Sequence, residues 1–219
     1  MRKIDEGSRG AAAVGIPDAL LEAAQSMDTA TLHEASGKNG ALPHGIKPAV
    51  QGFRVCGRAL TVHSPGGDNL WIHKALYAAR PGDVLVVFAE DQYEYGYWGE
   101  IMSFAAQCRD IGGLVIDGCV RDSVQLAQVG FPVFARGLCV RGTAKDKGAK
   151  GWINAPIRMG DVTVCPGDLV VGDADGVVAI AQSHLEQVVQ SARDRQSKER
   201  GILERLGAGE STLSIYNLG

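Results

Sequence analysis

The chain has 219 residues, of which 45% are hydrophobic and 21% charged, a composition typical of a globular protein with one core. Its formal net charge is −3 at pH 7, whereas nucleic-acid-binding proteins usually carry an excess of positive charge, so we expect no nucleic-acid partner. Met1–Ser8 carries charges without an apolar stretch behind it, and the longest apolar runs, such as Val84–Ala89, are strand-sized, so we expect a cytoplasmic protein without a secretory signal or membrane span.

The N-terminal third is predicted to contain three helices and two strands. Residues 17–36 have the pattern of two helices broken near Met27–Thr29, with Pro17 suited to the first helical turn. A strand is predicted over Gly52–Val62, and residues 69–80 follow a glycine-rich turn as a helix. Another turn then leads into the strand Val84–Phe88.

The middle of the chain has a regular strand and helix rhythm. Gly99–Asp110 has helical spacing of its apolar residues, and Leu114–Val120 is predicted to be a buried strand. A short helix over Ser123–Gln128 then leads to the strand Phe131–Ala135. Alternation of this kind indicates an α/β fold with a parallel sheet and three layers.

From about residue 138 the pattern becomes rich in short strands separated by Gly, Pro and Asp. We expect these strands to form a second sheet against the first, with a hairpin turn rather than a calcium loop at Asp173–Gly176. A charged helix is predicted over about 182–206, and 207–219 is predicted to be loop. No linker divides the chain, so 1–219 is treated as a single domain.

The five cysteines are odd in number and widely spaced, and none forms a C-x-x-C pair. This pattern favours neither a disulfide framework nor a zinc site, and we interpret all five as structural thiols. They are Cys56, Cys108, Cys119, Cys139 and Cys165.

Two segments could meet beyond the carboxyl ends of the parallel strands, where ligands gather in open α/β sheets. Gly99-Glu100 opens a helix whose free amides could bind an anion, and Arg121-Asp122 directly follows a strand. Arginine can grip a carboxylate with two hydrogen bonds, and aspartate can hold a hard divalent cation such as magnesium. From spacing alone, a surface ion pair or a helix cap is the preferred explanation of Arg121-Asp122, because structural pairs are the commoner case.

The chain resembles the RraA-like family, which includes class II pyruvate aldolases and the regulator of ribonuclease activity that gave the family its name. The resemblance covers about residues 20–205. The aldolases carry an acidic residue, twenty intervening positions and then Arg-Asp; Glu100 and Arg121-Asp122 fit this spacing, with glutamate where aspartate is usual. The matching segments are Thr29–Ala35, Gly66–Ala75, Pro81–Val87, Gly99–Asp122 and Pro166–Val178.

The resemblance implies a swivelling-type α/β/β sandwich with a central, partly parallel sheet, assembled as a homotrimer or a hexamer of two trimers with active sites between subunits. It also implies a Mg²⁺ or Mn²⁺ cofactor. The implied roles are Asp122 as direct metal ligand, Glu100 and a neighbouring subunit's Glu199 as ligands through water, Arg121 as the group that binds pyruvate's oxygens, and the amides of Gly99, Glu100, Ile101 and Met102 as the carboxylate site. A solvated helix face explains Glu199 equally well.

The implied activity is retro-aldol cleavage of 4-hydroxy-4-methyl-2-oxoglutarate or 4-carboxy-4-hydroxy-2-oxoadipate to release pyruvate, with oxaloacetate decarboxylation as a side activity. The alternatives are a non-catalytic regulator that binds a ribonuclease or helicase, and a lyase for another 2-oxo acid.

For the other polar residues we prefer a structural explanation to a functional one. Asp68 and His73 could line the site but suit a helix cap and a packed histidine, and Lys74 and Lys147 are interpreted as surface residues or secondary substrate contacts. Loops such as 36–48 or 90–98 are expected to contact the far end of the substrate.

Overall fold

The structure, a computed structural model, describes residues 15–219. The expectation that Met1–Ser8 is not a secretory signal therefore falls outside the described residues. Within residues 15–219, no helix is long and apolar enough to cross a bilayer.

Helices and strands occur at nearly all the predicted places. The helices, α1 to α7 in chain order, are Asp18–Gln25, Thr29–Ala35, Leu70–Ala78, Glu100–Gln107, Ser123–Val129, Leu185–Gly207 and Thr212–Tyr216. The strands, β1 to β12, are Lys47–Pro48, Val55–His63, Asp83–Phe88, Gly113–Asp117, Cys119–Val120, Val133–Ala135, Gly137–Leu138, Trp152–Ile153, Ile157–Met159, Val162–Val164, Leu169–Asp173 and Gly176–Ile180.

The main sheet is mixed and has the strand order β1-β6-β4-β3-β2-β11-β12, with β8 also paired to β2. Its centre is parallel, with Leu85 of β3 opposite Leu60 of β2 and Leu114 of β4. These central strands are buried along almost their whole length, as their runs of Val, Ile and Leu require. The predicted α/β fold with a partly parallel sheet is therefore confirmed.

Different elements pack on the two faces of the sheet. Helices α3, α4 and α5 pack on one face, where Leu85 and Leu114 contribute to the largest apolar cluster. The β9–β10 hairpin covers the opposite face, where Val84, Val86 and Val115 point. Helices α1, α2 and α6 cover the β11–β12 end of the sheet.

The prediction of a second sheet is wrong for β11 and β12, because these two strands extend the first sheet. β11 pairs antiparallel with β2, and the β11–β12 hairpin then curls toward the segment before β1. There the Leu42 amide donates to the Val177 carbonyl at 2.9 Å and the Ala179 amide to the Gly40 carbonyl at 2.8 Å. The mixed sheet is consequently nearly closed on itself, like a barrel.

The predicted turn at the tip of this hairpin is confirmed. Asp173 pairs with Gly176 in the register of the two strands. Its carboxylate accepts hydrogen bonds from the Thr29 hydroxyl at 2.7 Å and the Thr29 amide at 2.8 Å, which ties α2 to the sheet. Burial raises the pKa of Asp173, but these hydrogen bonds outweigh burial and hold the pKa below its ordinary value.

Two other boundaries differ from prediction. The strand expected over Leu114–Val120 ends at Asp117, because the chain leaves the main sheet at Gly118 and pairs β5 with β7 in a separate two-stranded sheet. The tail 207–219 was predicted to be loop, yet it contains α7, which the Ser211 hydroxyl caps by accepting from the Ser214 amide. All five cysteines are free.

Candidate active site

The carboxyl edge of the parallel strands carries the Gly99-Glu100 and Arg121-Asp122 segments. α4 begins at Glu100, and Asp122 is the residue directly before α5. The Asp122 carboxylate oxygen Oδ2 accepts a hydrogen bond from the Glu100 amide at 3.1 Å. The two segments are therefore in direct contact, as their placement at the ends of neighbouring elements predicted.

Asp122 is held in a backbone conformation that few residues adopt. Its φ of 62° and ψ of 43° lie in the left-handed helical region, which aspartate and asparagine tolerate better than most side chains. Residues in such conformations concentrate at functional sites, where surrounding contacts fix them. The contact with the α4 amide fixes this one and points the carboxylate at the helix start.

Gly99 makes the close approach between α4 and Asp122 possible. Its φ of −161° is ordinary extended backbone, so conformational freedom is not the reason for glycine. A Cβ at this position would lie 2.2 Å from Asp122 Oδ2 and 3.3 Å from Arg121 Cγ. Any side chain here would push both functional groups away from the helix N-terminus.

Arg121 lies beside Asp122 with its guanidinium half exposed. Its Nε is 3.7 Å from Asp122 Oδ2, and its backbone amide donates to the Trp98 carbonyl at 2.9 Å. The Arg121 side chain runs past Gly96, where a Cβ would lie 3.1 Å from Arg121 Cδ. The terminal nitrogens of Arg121 have no hydrogen-bond partner within residues 15–219, so they are available to an anionic ligand.

Arg121 and Asp122 open onto a pocket of about 540 Å³. Its lining residues are Arg121, Asp122, Ser123, Leu138, Cys139 and Val140. Sequence reasoning missed the wall formed by 138–140, because only the pairing of β5 with β7 places it there and no local motif marks such pairing. None of the lining residues comes from 36–48, which instead contributes to a separate cleft of about 870 Å³ between α2, the β9–β10 turn and α6.

The N-terminus of α4 retains amides for a second anionic group. The Glu100 amide is occupied by Asp122, and the Ser103 amide donates to the Gly99 carbonyl at 3.0 Å. Within the described chain, the amides of Ile101 and Met102 have no hydrogen-bond partner. The Gly99 amide has no partner within residues 15–219 either, so three of the four amides predicted for the carboxylate site are free, and free amides at a helix N-terminus suit a carboxylate.

The donor atoms at this edge suit a hard divalent cation. Asp122 Oδ2 is engaged, but Asp122 Oδ1 has no partner among residues 15–219, and Glu100 is an exposed carboxylate in the first turn of α4. Magnesium commonly takes only one or two protein carboxylates and completes its shell with water and substrate oxygens. Among the residues described, no group of three His, Cys, Asp or Glu side chains forms a cage. The donors therefore fit an open magnesium site.

Glu199 is not brought to this pocket within one chain. It lies on α6, where its carboxylate pairs with Arg195 at 2.9 Å, and Arg195 also lies 3.6 Å from Glu34. An ion pair four residues apart on an exposed helix contributes only a few tenths of a kcal/mol, about 0.3–0.5. The carboxylate can exchange this partner for another at small cost.

The surroundings of Asp68 and His73 are those of residues with a structural role. Asp68 is 4% exposed, and its carboxylate accepts from the amides of Leu70 at 2.7 Å and Asp146 at 2.6 Å, so it caps the start of α3 and anchors a loop. Burial lowers the pKa of His73, Lys145 lowers it further, and Asp68 opposes them. Lys74 lies over the Trp71 ring at 3.7 Å.

Replacing Asp68 with alanine is expected to reduce the free energy of unfolding by about 2 kcal/mol, because two backbone amides lose their acceptor. Urea denaturation measures the change, with Asp161→Ala, in an exposed turn, as the matched control. A variant of unaltered stability that loses catalytic turnover would instead place Asp68 in the site.

Comparison with known proteins assigns the fold and its relatives. A model of the family described as "RraA-like: Aldolase/RraA" matches residues 18–179. A Halalkalibacterium halodurans protein named "Putative 4-hydroxy-4-methyl-2-oxoglutarate aldolase" is 40% identical over 167 residues, which cover 74% of this chain and 79% of that protein. A crystal structure of an uncharacterized Pseudomonas syringae protein superposes with a TM-score of 0.78 at 30% identity, covering 90% of this chain and 96% of the other.

A second similar solved structure is described as a member of an inhibitor family. It is RraAS2 of Streptomyces coelicolor, described as an unusual member of the RNase ES inhibitor RraA protein family. The two chains superpose with a TM-score of 0.74 at 28% identity, covering 86% of this chain and 98% of that one. The relatives thus include proteins with an aldolase name and one described as belonging to an inhibitor family.

Proposed function

The chain belongs to the RraA-like family, and from this premise we propose that it is a divalent-metal-dependent aldolase that releases pyruvate from 4-hydroxy-4-methyl-2-oxoglutarate or 4-carboxy-4-hydroxy-2-oxoadipate. One observation carries the proposal: Arg121 and Asp122 open onto one pocket, and the Asp122 carboxylate contacts the start of α4. A 2-oxo acid presents a keto oxygen and a carboxylate to this set of groups.

Different groups of the protein bind different atoms at the 2-oxo acid end of the substrate. The free amides of Ile101 and Met102 receive the C1 carboxylate at the positive end of α4. The Arg121 guanidinium binds the C2 keto oxygen, where negative charge develops as the C3–C4 bond breaks and the enolate of pyruvate forms. Because this charge exists only after bond cleavage begins, Arg121 stabilises the transition state more than the bound substrate.

Asp122 would hold the cation directly, and Glu100 and a neighbouring subunit's Glu199 would hold it through water. Bound there, Mg²⁺ or Mn²⁺ would supply Lewis-acid stabilisation of the same developing charge. Glu100, exposed in the first turn of α4, also orients water. Water carries away the proton that the C4 hydroxyl loses and delivers the proton that C3 of the enolate takes up. Oxaloacetate decarboxylation uses the same enolate, so it is a side activity.

Exposed apolar side chains lie in this pocket and on the neighbouring helices α4 and α5, which supports assembly of the proposed swivelling-type fold as a homotrimer or hexamer. Val140 and Leu138 line the pocket, Ile101 and Phe104 lie on α4 and Val124 on α5, and Ile101 is 80% exposed and Val140 91% exposed. Exposed apolar side chains of this kind are typical of a protein interface. A neighbouring subunit seated here would exclude water and could bring Glu199 to the metal.

The deciding experiment measures pyruvate release from both branched substrates and from oxaloacetate, coupled to lactate dehydrogenase, with EDTA or with added magnesium. We expect release from a branched substrate that EDTA abolishes and magnesium restores. Turnover of oxaloacetate alone would support the enolate chemistry, and the physiological substrate would then be another 2-oxo acid. Absence of pyruvate from all three, with folded protein and metal present, would favour a regulator of the RraAS2 kind that binds a ribonuclease.

Replacing Arg121 with alanine is expected to lower kcat by about a hundredfold to a thousandfold, as for removal of one oxyanion donor, with a smaller change in KM. Steady-state kinetics with the better substrate measure both constants, and Arg158→Ala on the β9–β10 hairpin serves as control. A rise in KM at constant kcat would instead show that Arg121 binds the substrate and the transition state equally.

A further inference from the structure

The pocket beside Arg121-Asp122 is lined on its other side by apolar residues. Leu138, Cys139 and Val140 form this side, and we call these three residues the apolar wall. Leu138 of β7 pairs with Val120 of β5, which directly precedes Arg121, so the wall and the charged residues leave adjacent strands. Both large side chains of the wall are exposed in the single chain, Leu138 at 57% and Val140 at 91%.

The apolar wall presents no charged side chain to the pocket. The Cys139 thiol donates to the Glu94 carbonyl at 3.2 Å, so its hydrogen already has an acceptor. Arg141, the first cation after the wall, is not a lining residue, and its guanidinium carbon lies 5.2 Å from the centre of the Tyr95 ring. Among the described residues that line the pocket, Arg121 is therefore the one cation.

Ser123 adds a neutral polar group on the charged side of the pocket. It directly follows Asp122, is half-buried and lines the pocket. Within residues 15–219 its hydroxyl has no hydrogen-bond partner. Because a hydroxyl can both donate and accept, Ser123 can bind a hydroxyl or a carboxylate of a ligand.

The proposed binding mode places the substituents of substrate carbon C4 in this pocket. Arg121 and Asp122 fix the C2 end, and C4 is only two bonds from C2. The two candidate substrates carry the same hydroxyl and carboxylate on C4, which Ser123 suits, and they differ in one remaining group. That group is a methyl in 4-hydroxy-4-methyl-2-oxoglutarate and a charged carboxymethyl in 4-carboxy-4-hydroxy-2-oxoadipate.

The chemistry of the wall favours an uncharged group at this position. A methyl group placed against Leu138 and Val140 leaves water for an apolar surface, which is favourable. A carboxymethyl group would bring a further carboxylate to a wall without a cation, where loss of hydration is not compensated. Arg121 cannot compensate it, because its guanidinium is assigned to the keto oxygen. The pocket volume of about 540 Å³ also leaves room for alkyl groups larger than methyl.

We propose that the apolar wall determines the specificity of the site, and that it selects 2-oxo acids with an apolar group on C4 over those with a charged group there. Leu138 and Val140 are the specificity-determining residues. The choice of substrates rests on the proposed function, whereas the selection itself is a property of the pocket that binding alone can measure.

The test compares two ligands that lack the C4 hydroxyl and therefore cannot undergo retro-aldol cleavage. They are 4-methyl-2-oxoglutarate and 4-carboxy-2-oxoadipate, which differ only in the group assigned to the wall. Calorimetric titration with magnesium present is expected to give the wild-type protein about a tenfold preference for the methyl ligand. 4-Ethyl-2-oxoglutarate should bind at least as tightly as the methyl ligand.

Val140→Lys places a cation in the wall, and the preference should then fall to less than about twofold. Val140→Met introduces an unbranched side chain of similar length without charge, and it should retain the preference. Val124→Lys makes the same change on α5 outside the pocket lining and should also retain it. Leu138→Lys and Leu138→Met repeat the comparison at the other large residue of the wall, and size-exclusion chromatography identifies the pair that assembles as the wild-type protein does.

Equal binding of both ligands by the wild-type protein, or a preference unaltered in both wall lysine variants, would overturn the role of the wall alone. Binding of neither ligand would overturn the proposed function together with it. The two failures are distinguishable, because the first leaves a 2-oxo acid site in place and the second does not.

Discussion

Replacing Asp122 with asparagine is expected to lower metal-dependent pyruvate release by roughly a thousandfold while leaving the fold intact. Asparagine tolerates the left-handed backbone conformation, and its side-chain oxygen can still accept from the Glu100 amide. The change therefore removes the negative charge that we assign to the cation and little else. Asp122→Ala should lose activity at least as fully and also lose the contact with α4.

Coupled pyruvate assays at saturating magnesium, together with magnesium binding by calorimetry, measure this loss. Asp175→Asn, in the exposed β11–β12 turn, provides a control for the same chemical change elsewhere. Thermal unfolding should be nearly the same for the Asp122→Asn variant and wild-type protein. Wild-type turnover in an Asp122→Asn variant of verified metal content would remove Asp122 from the site.

Replacing Gly99 with alanine is expected to reduce turnover by about a hundredfold, because the new methyl group cannot coexist with the Asp122 carboxylate. The Cβ position is 2.2 Å from Asp122 Oδ2, well inside contact distance. Either the carboxylate or the start of α4 must shift, and displacement of a reacting group by about 1 Å commonly costs this factor. Overpacking should also cost about 1–3 kcal/mol of stability.

Kinetics and urea denaturation of Gly99→Ala separate these two effects. Gly207→Ala is the control, since that glycine ends α6 with open space around its Cβ position. Alanine there should leave turnover unaltered and stability equal or slightly higher. Full activity of Gly99→Ala would show that Asp122 need not approach the helix start, and would contradict the role assigned to that contact.

The pairing of Gly99-Glu100 with Arg121-Asp122 could be predicted because both segments lie at ends of elements whose order follows from apolar periodicity. Parallel strands end at one edge, so residues directly after them become neighbours. The pocket wall at Leu138–Val140 could not be predicted in this way. It depends on β5 pairing with β7, which joins residues eighteen positions apart without a local signal.

The sequence by itself determined the class of fold, most element positions and the residues that carry charge at the candidate site. These follow from local quantities: apolar runs buried on both faces, helical spacing, and turn residues between elements. Tertiary structure decided that β11 and β12 close the first sheet, that Asp122 takes a left-handed conformation, and that the Glu100 amide is occupied by Asp122. Such features arise from contacts between distant segments, whose energies no stretch of sequence contains alone.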